Sequence, residues 1–179
     1  MNKQEELLIS YYNRHPKYIS SIRKIELLLK VSQQSGVDFT NKSFLDIGCG
    51  DGRVCLMINS LFNNCKFTGI DISKNRIGIA SEVLPNHNFI CSDLYSYLKV
   101  NKLHFDIGLM FEVIEHLNNP YDVLNELISK TDLVIGSVPI NCYGISHIQL
   151  FHTEKEFLKA FPVQKLFRWQ KYLFFKATK

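Results

Sequence analysis

Apolar positions recur at helical spacing through the first part of the chain. Leu7, Leu8, Tyr11 and Tyr12 share a face, Pro16 interrupts, and Ile19, Ile22, Ile25, Leu28 and Leu29 resume the period. Gly36 is a plausible stop. A helical segment over 1–36 is expected. From residue 43 the pattern changes to short apolar runs alternating with helical ones. Strands are predicted at Ser43–Ile47, Lys66–Ile72, Asn88–Ser92, Phe105–Phe111 and Leu133–Val138. Between them Val54, Cys55, Ile58, Leu61 and Phe62 form one helical face, and Ile77, Ala80, Val83 and Leu84 another, capped by Ser73 and closed by Pro85. Asn119 and Pro120 open a helix with Val123, Leu124, Leu127 and Ile128 inward. Thr153-Glu-Lys-Glu156 reads as a capping box.

The runs Val163–Trp169 and Tyr172–Thr178 are separated by two residues. A parallel crossover needs about a dozen, so the two strands are predicted as an antiparallel hairpin. Strands alternating with helices give a mostly parallel α/β sheet with helices on both faces, and near-continuous apolar strands fit burial on both sides. No repeat or linker divides the chain. A single domain over 1–179 is expected, with its core at 43–179.

Composition narrows the classes. The 179 residues are 46% hydrophobic and 21% charged, ordinary for a globular domain. No run approaches the roughly 18 apolar residues of a membrane span, and the first residues lack the apolar core of a signal peptide. A cytoplasmic protein without membrane contact is expected. Five dispersed cysteines, with no C-x-x-C pair, read as reduced, buried thiols. The net charge of +4 is uneven: residues 44–160 carry 9 basic against 13 acidic residues, whereas the tail from Phe161 has 5 basic and no acidic ones. A surplus this small does not argue for nucleic acid, although it does not exclude it. The aromatic tail is expected to be buried in the sheet, its lysines at turns and ends.

Ligands of such sheets sit at the carboxyl ends of the strands, where strand order reverses. Three features lie there. Asp46-Ile-Gly-Cys-Gly-Asp-Gly52 joins a strand to a helix; its glycines permit a sharp turn and close backbone approach to a ligand, and the following helix N-terminus offers free N–H groups to an anion. Asp71 ends the second strand 23 residues beyond Gly48, where an acid can bind a ribose hydroxyl pair. Asp93 ends the third, placed to accept from an adenine amino group. A dinucleotide fingerprint would put its third glycine at position 53, where this chain has Arg53. The G-x-G-x-G spacing suits S-adenosylmethionine better, with acids such as Asp46 and Glu112 near its cationic end.

The stretches Phe44-Leu-Asp-Ile-Gly-Cys-Gly-Asp-Gly-Arg53, Phe67-Thr-Gly-Ile-Asp-Ile72, Cys91-Ser-Asp93 and Phe105-Asp-Ile-Gly-Leu-Met-Phe-Glu-Val-Ile-Glu-His-Leu117 resemble class I S-adenosylmethionine-dependent methyltransferases. The resemblance covers Ser43 to Thr178. It implies a Rossmann-like, doubly wound seven-stranded sheet whose last strand is antiparallel. By the same resemblance Asp46, Gly48, Cys49 and Gly50 line the methionine end of the cofactor, with Phe111 and Glu112 bordering it. Asp71 holds the ribose, Ile72 touches the adenine, and Asp93 with Leu94 binds its ring and amino group. The chain departs from the family in having Ser129-Lys-Thr-Asp132 where relatives usually carry a Pro-Gly-Gly turn. The Asn-Pro-Pro-Tyr type of motif used on amino groups of bases is absent.

Methyl transfer from a sulfonium depends heavily on alignment of the acceptor, and an ionising acceptor also needs a base or a metal. His116 is the candidate catalytic residue, with Glu115, His147, His152 and the N-terminal tyrosines as others. If the chain turns helical after the fourth strand, Glu112, Glu115 and His116 share a face at i, i+3 and i+4. That run resembles the Glu-x-x-Glu-His stretch of ubiquinone-type O-methyltransferases and of RNA 3′-terminal 2′-O-methyltransferases, which add a further histidine downstream. His147 or His152 could stand there. The same run occurs in methyltransferases that use no metal, and no metal is assigned. The N-terminal helix and Pro139–Ser146 are expected to wall the acceptor site. The expected acceptor is a small molecule; RNA, protein and an inactive S-adenosylmethionine-binding domain are the alternatives, beside a nicotinamide-dependent oxidoreductase disfavoured by Arg53.

Overall fold

A computed structural model describes residues 21–179, with side chains from residue 27 onward. Leu7, Leu8, Tyr11, Tyr12 and Pro16, with most of the expected N-terminal helix, lie outside the described residues. The described elements run α1 (Ser21–Ser35), β1 (Ser43–Ile47), α2 (Arg53–Leu61), β2 (Lys66–Asp71), α3 (Lys74–Val83), β3 (Asn88–Cys91), α4 (Leu94–Val100) and β4 (Phe105–Phe111). A 3₁₀ turn (Ile114–His116) follows, then α5 (Pro120–Ser129), β5 (Thr131–Pro139), α6 (Glu154–Ala160), β6 (Gln164–Trp169) and β7 (Tyr172–Ala177).

The strands form one seven-stranded sheet in the order β3-β2-β1-β4-β5-β7-β6. All neighbours are parallel except β7, which runs antiparallel to both β5 and β6. This is a Rossmann-like α/β fold, as the strand pattern implies. The order reverses between β1 and β4, so the crevice at their carboxyl ends is the natural ligand position.

Burial on both faces explains the apolar strands. Leu45, Ile47, Ile70, Met110 and Phe175 belong to one core cluster. Phe44, Phe67, Ile107, Leu109 and Phe174 belong to the other. At the opposite, amino end of β1 and β4, Asp106 accepts from the Ser43 amide (2.8 Å) and hydroxyl (2.6 Å) and from Lys42 Nζ (3.1 Å). Partial burial would raise its carboxyl, but these hydrogen bonds outweigh that and hold it down to about 2. The two central strands are thereby pinned at the end away from the crevice.

Several local expectations need correction. Cys49, Cys55 and Cys65 are buried, but Cys91, the last residue of β3, is exposed and Cys142, beyond the end of β5, only half-buried. Thr153 caps α6 by accepting from Glu156 N–H, yet the Glu156 carboxylate accepts from His152 N–H, one residue before the cap position. Asn119 precedes α5 without a side-chain capping bond. Phe167, Phe174 and Phe175 are buried as expected. Lys165 and Lys176 nevertheless lie within strands: Lys165 pairs with Glu154, as does Arg168, and Lys176 reaches Ser35 O. The basic tail thus meets acidic and carbonyl partners of its own fold. No helix among the described residues is long and apolar enough to cross a membrane.

Candidate functional site

The chain leaves β1 through three glycines in the left-handed region, Gly48 (φ 69°), Gly50 (φ 57°) and Gly52 (φ 74°). Gly48 is the tightest: a Cβ there would lie 2.7 Å from Val113 Cγ2. The N–H groups of Gly48 and Cys49 both donate to Ile70 O (2.7 and 3.0 Å), and Gly52 N–H donates to Cys49 O (3.0 Å). Asp71 closes the loop from the end of β2. Its Oδ2 accepts from Gly50 N–H (2.9 Å), and its Oδ1 accepts from Ser73 N–H (2.8 Å). These four loop amides shape the turn. Each Asp71 oxygen keeps a second lone pair for an outside donor.

Beside the loop a cavity of about 510 Å³ runs along the carboxyl ends of β2, β3 and β4. Its volume falls in the range of small-molecule sites, roughly 300–1,000 Å³. Gly48, Asp71, Ile72, Asp93, Leu94 and Glu112 line it, joined by Arg76, Tyr95, Val113, His116 and Ser146. Ile72 is 77% exposed, an apolar side chain left bare at the cavity wall. Asp93 caps α4, its Oδ2 accepting from Ser96 N–H at 2.8 Å, which leaves Oδ1 for a ligand donor.

The fourth strand ends in a strained residue. Glu112 has φ 56°, uncommon for a side-chain-bearing residue, and its N–H is held by Ser137 O at 3.0 Å. Glu112 borders the large cavity and also a second, apolar one of about 90 Å³ between α1, α2 and the β5–β7–β6 end of the sheet. Leu28, Met57, Phe111, Trp169, Tyr172 and Phe174 line this smaller cavity. Burial raises the Tyr172 hydroxyl above its ordinary range, and the charge of Glu112 adds to the shift.

Residues 45–129, which contain the loop, Asp71, Asp93 and Glu112, match the family model of the methyltransferase domain. The plantazolicin methyltransferase BamL, solved with a triazolic desmethylPZN analog and SAH, superposes with a TM-score of 0.54 at 29% identity, over 75% of this chain and 50% of that one. Over these residues the chain is similar to class I S-adenosylmethionine-dependent methyltransferases. The ubiquinone biosynthesis O-methyltransferase of Rickettsia bellii is 24% identical over 137 residues, 73% of this chain and 56% of the relative. The bifunctional kinase-methyltransferase WbdD shares the fold, with a TM-score of 0.68 at 14% identity over 87% of this chain and 39% of that one. The chain spans about half the length of the curated relatives it matches.

Within this methyltransferase fold, four of the ten residues expected at the cofactor lie away from the large cavity. Asp46 is only 3% exposed, turned into the core where Cys55 Sγ donates to its Oδ2 at 3.2 Å. Burial pushes its carboxyl up to about 7. Cys49 is buried, and its thiol is pushed far above its ordinary range, first by burial and then by Asp46. Gly50 acts through its bond to Asp71, and Phe111 lines the smaller cavity. Sequence reasoning misses Arg76 and Tyr95 in the wall; Arg76 sits five residues past Asp71, a spacing that carries no motif. Of the expected acceptor walls, Ser146 reaches the large cavity, while Tyr143 and Ile145 are exposed.

The run after β4 is not helical as expected. The left-handed Glu112 turns the chain, and only Ile114–His116 forms a single 3₁₀ turn. Glu112, Glu115 and His116 therefore do not share one helical face. Glu115 is buried, at 2% exposed, and burial pushes its carboxyl up to about 7. His116 is exposed, with Nδ1 2.9 Å from Ser146 O. A carbonyl only accepts, so Nδ1 carries the proton and Nε2 presents its lone pair in the neutral ring.

Proposed function

We propose that the chain binds S-adenosylmethionine in the cavity beside the glycine loop and passes its methyl group to a small-molecule acceptor. The observation that carries this reading is Asp71. One carboxylate both closes the loop, through Gly50, and lines the cavity with lone pairs to spare. The fit of the remaining wall supports it. Ile72, Leu94 and Tyr95 offer apolar surface to a flat ring, and Asp93 Oδ1 is available to an exocyclic amino group. Gly48 has no room for a side chain, a Cβ there lying 2.7 Å from Val113 Cγ2, so the loop borders the cavity as bare backbone. Asp71 would take the ribose hydroxyls, and Glu112 would face the cationic end.

When bound, the cofactor supplies an activated methyl group for in-line displacement. What the chain contributes is placement and a charge. Glu112 stands between the two cavities, so an acceptor whose apolar part enters among Leu28, Met57, Trp169 and Phe174 would be held on the side of Glu112 away from the ribose. His116, with Nε2 unprotonated, is the proposed base that positions the acceptor or takes its proton. Asp46, Cys49 and Gly50 serve the loop from behind. Relatives named for ubiquinone biosynthesis, for coclaurine and for trans-aconitate favour a small acceptor over a macromolecule.

The test is transfer of a labelled methyl group from S-adenosylmethionine to a panel of phenols, amines and carboxylic acids, with bulk RNA and denatured protein in parallel. Label in one or more small molecules supports the reading. Label confined to RNA or protein would replace the acceptor class, and binding without transfer to any of them would reduce the chain to a cofactor-binding domain.

A further inference from the structure

The small cavity between α1, α2 and the end of the sheet has a single charged side chain among its described lining residues, Glu112. Four aromatic rings stand around the same space: Phe111, Trp169, Tyr172 and Phe174. Phe111 and Phe174 meet at a tilt of 55° with 6.2 Å between centroids, and Trp169 and Tyr172 lie nearly parallel, 6.3 Å apart. Apolar side chains of α1 and α2, with Ser137 of β5, complete the wall. The Glu112 carboxylate forms no ion pair among the described residues. Its backbone turns at φ 56° with the N–H bound to Ser137 O, and that turn sets the side chain on the border of both cavities.

An unpaired carboxylate beside aromatic faces is an environment for a cation that carries an apolar group. The anion supplies charge, and a ring face attracts a cation within roughly 6 Å of its centroid, tryptophan most strongly. A carboxylate acceptor would be repelled by Glu112, and a neutral alcohol would draw little from its charge. A phenol would resist losing its proton here. Burial, and then the charge of Glu112, raises the Tyr172 hydroxyl in this same wall above its ordinary range, against the pull of Lys171. The space is about 90 Å³. A cavity of roughly 150 Å³ takes a whole benzene ring, so this one takes a compact group or the edge of a ring and leaves the polar atom at Glu112.

We propose that the methyl acceptor is an amine, held as its ammonium by Glu112 with its apolar group among Trp169, Tyr172 and Phe174. This rests on the methyl-transfer reading above and names the substrate class within it. Glu112 captures the ammonium, and the positive sulfonium of the cofactor then favours the neutral amine. The ammonium gives its proton to Nε2 of His116, which lines the large cavity together with Glu112. The nitrogen lone pair forms the N–C bond as the bond from methyl to sulfur breaks, and the electron pair of the broken bond stays on sulfur. The products are an N-methylated ammonium and a neutral thioether.

Trp169 is the only tryptophan of the chain, so its fluorescence reports on this cavity directly. The experiment titrates benzylamine, benzyl alcohol and benzoate, three probes of one shape and different charge, into the full chain in the presence of S-adenosylhomocysteine. A saturable change in Trp169 emission is expected for benzylamine at a concentration at least tenfold lower than for the other two. Glu112→Gln should bring benzylamine to within about twofold of benzyl alcohol. Thermal melting checks that this variant is folded, and the probe series on the unaltered protein decides without it. Benzylamine binding no tighter than benzyl alcohol, no response to any probe at tens of millimolar, or a preference that survives Glu112→Gln overturns the proposal. Calorimetric titration of S-adenosylhomocysteine into the same protein keeps the two readings apart. Bound cofactor product with no preference for the amine overturns this inference alone, whereas no bound cofactor product overturns the methyl-transfer reading on which it rests.

Discussion

Replacing Asp46 with Asn should make the protein more stable, and by a margin that grows with pH. Asp46 is buried in β1 with Cys55 Sγ as its hydrogen-bond donor, and burial lifts its carboxyl from 3.8 to about 7. In the unfolded chain the group ionises near its ordinary value. Between those two values the unfolded state loses a proton that the folded state retains. Folding stability therefore falls as pH rises from about 4 to about 7 and levels off above. A tenfold difference in acidity between the folded and unfolded chain corresponds to ~1.4 kcal/mol. A difference of roughly a thousandfold gives a penalty on the order of 4 kcal/mol for the unliganded protein at about pH 8. Asparagine cannot ionise and avoids this, although its buried NH₂ lacks an evident acceptor and costs ~1–3 kcal/mol at every pH. The diagnostic is thus the slope. Urea unfolding of both proteins without cofactor should show the advantage of Asp46→Asn widening by roughly 2–3 kcal/mol between pH 5 and pH 8. Curves that run parallel over that range would refute the assignment of a neutral, buried carboxyl.

Gly48→Ala places a Cβ 2.7 Å from Val113 Cγ2 at φ 69°, and denaturant unfolding should show a loss of about 1–3 kcal/mol together with weakened ligand binding. Phe157 is fully buried among Phe151, Phe161 and Phe175, so Phe157→Ala should cost about 3–5 kcal/mol by the same measurement. Glu154 pairs with Lys165 and Arg168 at the surface, and Glu154→Ala should change stability by less than ~1 kcal/mol, the effect shrinking further in high salt.

The sheet was legible in the sequence because its strands are buried on both faces and therefore read as apolar runs. The two-residue gap at Gln170 and Lys171 is too short for any crossover, and that alone sets the direction of the last pair. The loop and its partner acid were legible because glycine at positive φ and an acid at a strand end are local requirements. Less could be read where a residue's role is set by which way its strand faces. Asp46 and Asp71 both lie at the ends of strands, yet one points into the core and the other into the cavity. The run from Glu112 to His116 misled for a similar reason. Its spacing fits a helix, but the left-handed Glu112 breaks the period after one residue. His147 was named beside Glu115 only through a resemblance and only as one of two candidates; the bonds from Ile148 and Gln149 to the Glu115 carbonyl that bring it there leave no trace in residue type.

The central claim is that the cavity beside Asp71 takes S-adenosylmethionine. Calorimetric titration of S-adenosylhomocysteine into the unaltered protein and into Asp71→Ala tests it most directly. The account predicts one molecule bound per chain. Removing hydrogen bonds to the charged carboxylate, ~1.5–3 kcal/mol, should weaken it roughly tenfold to a hundredfold. No binding to the unaltered protein, or equal affinity in the two, would contradict the account.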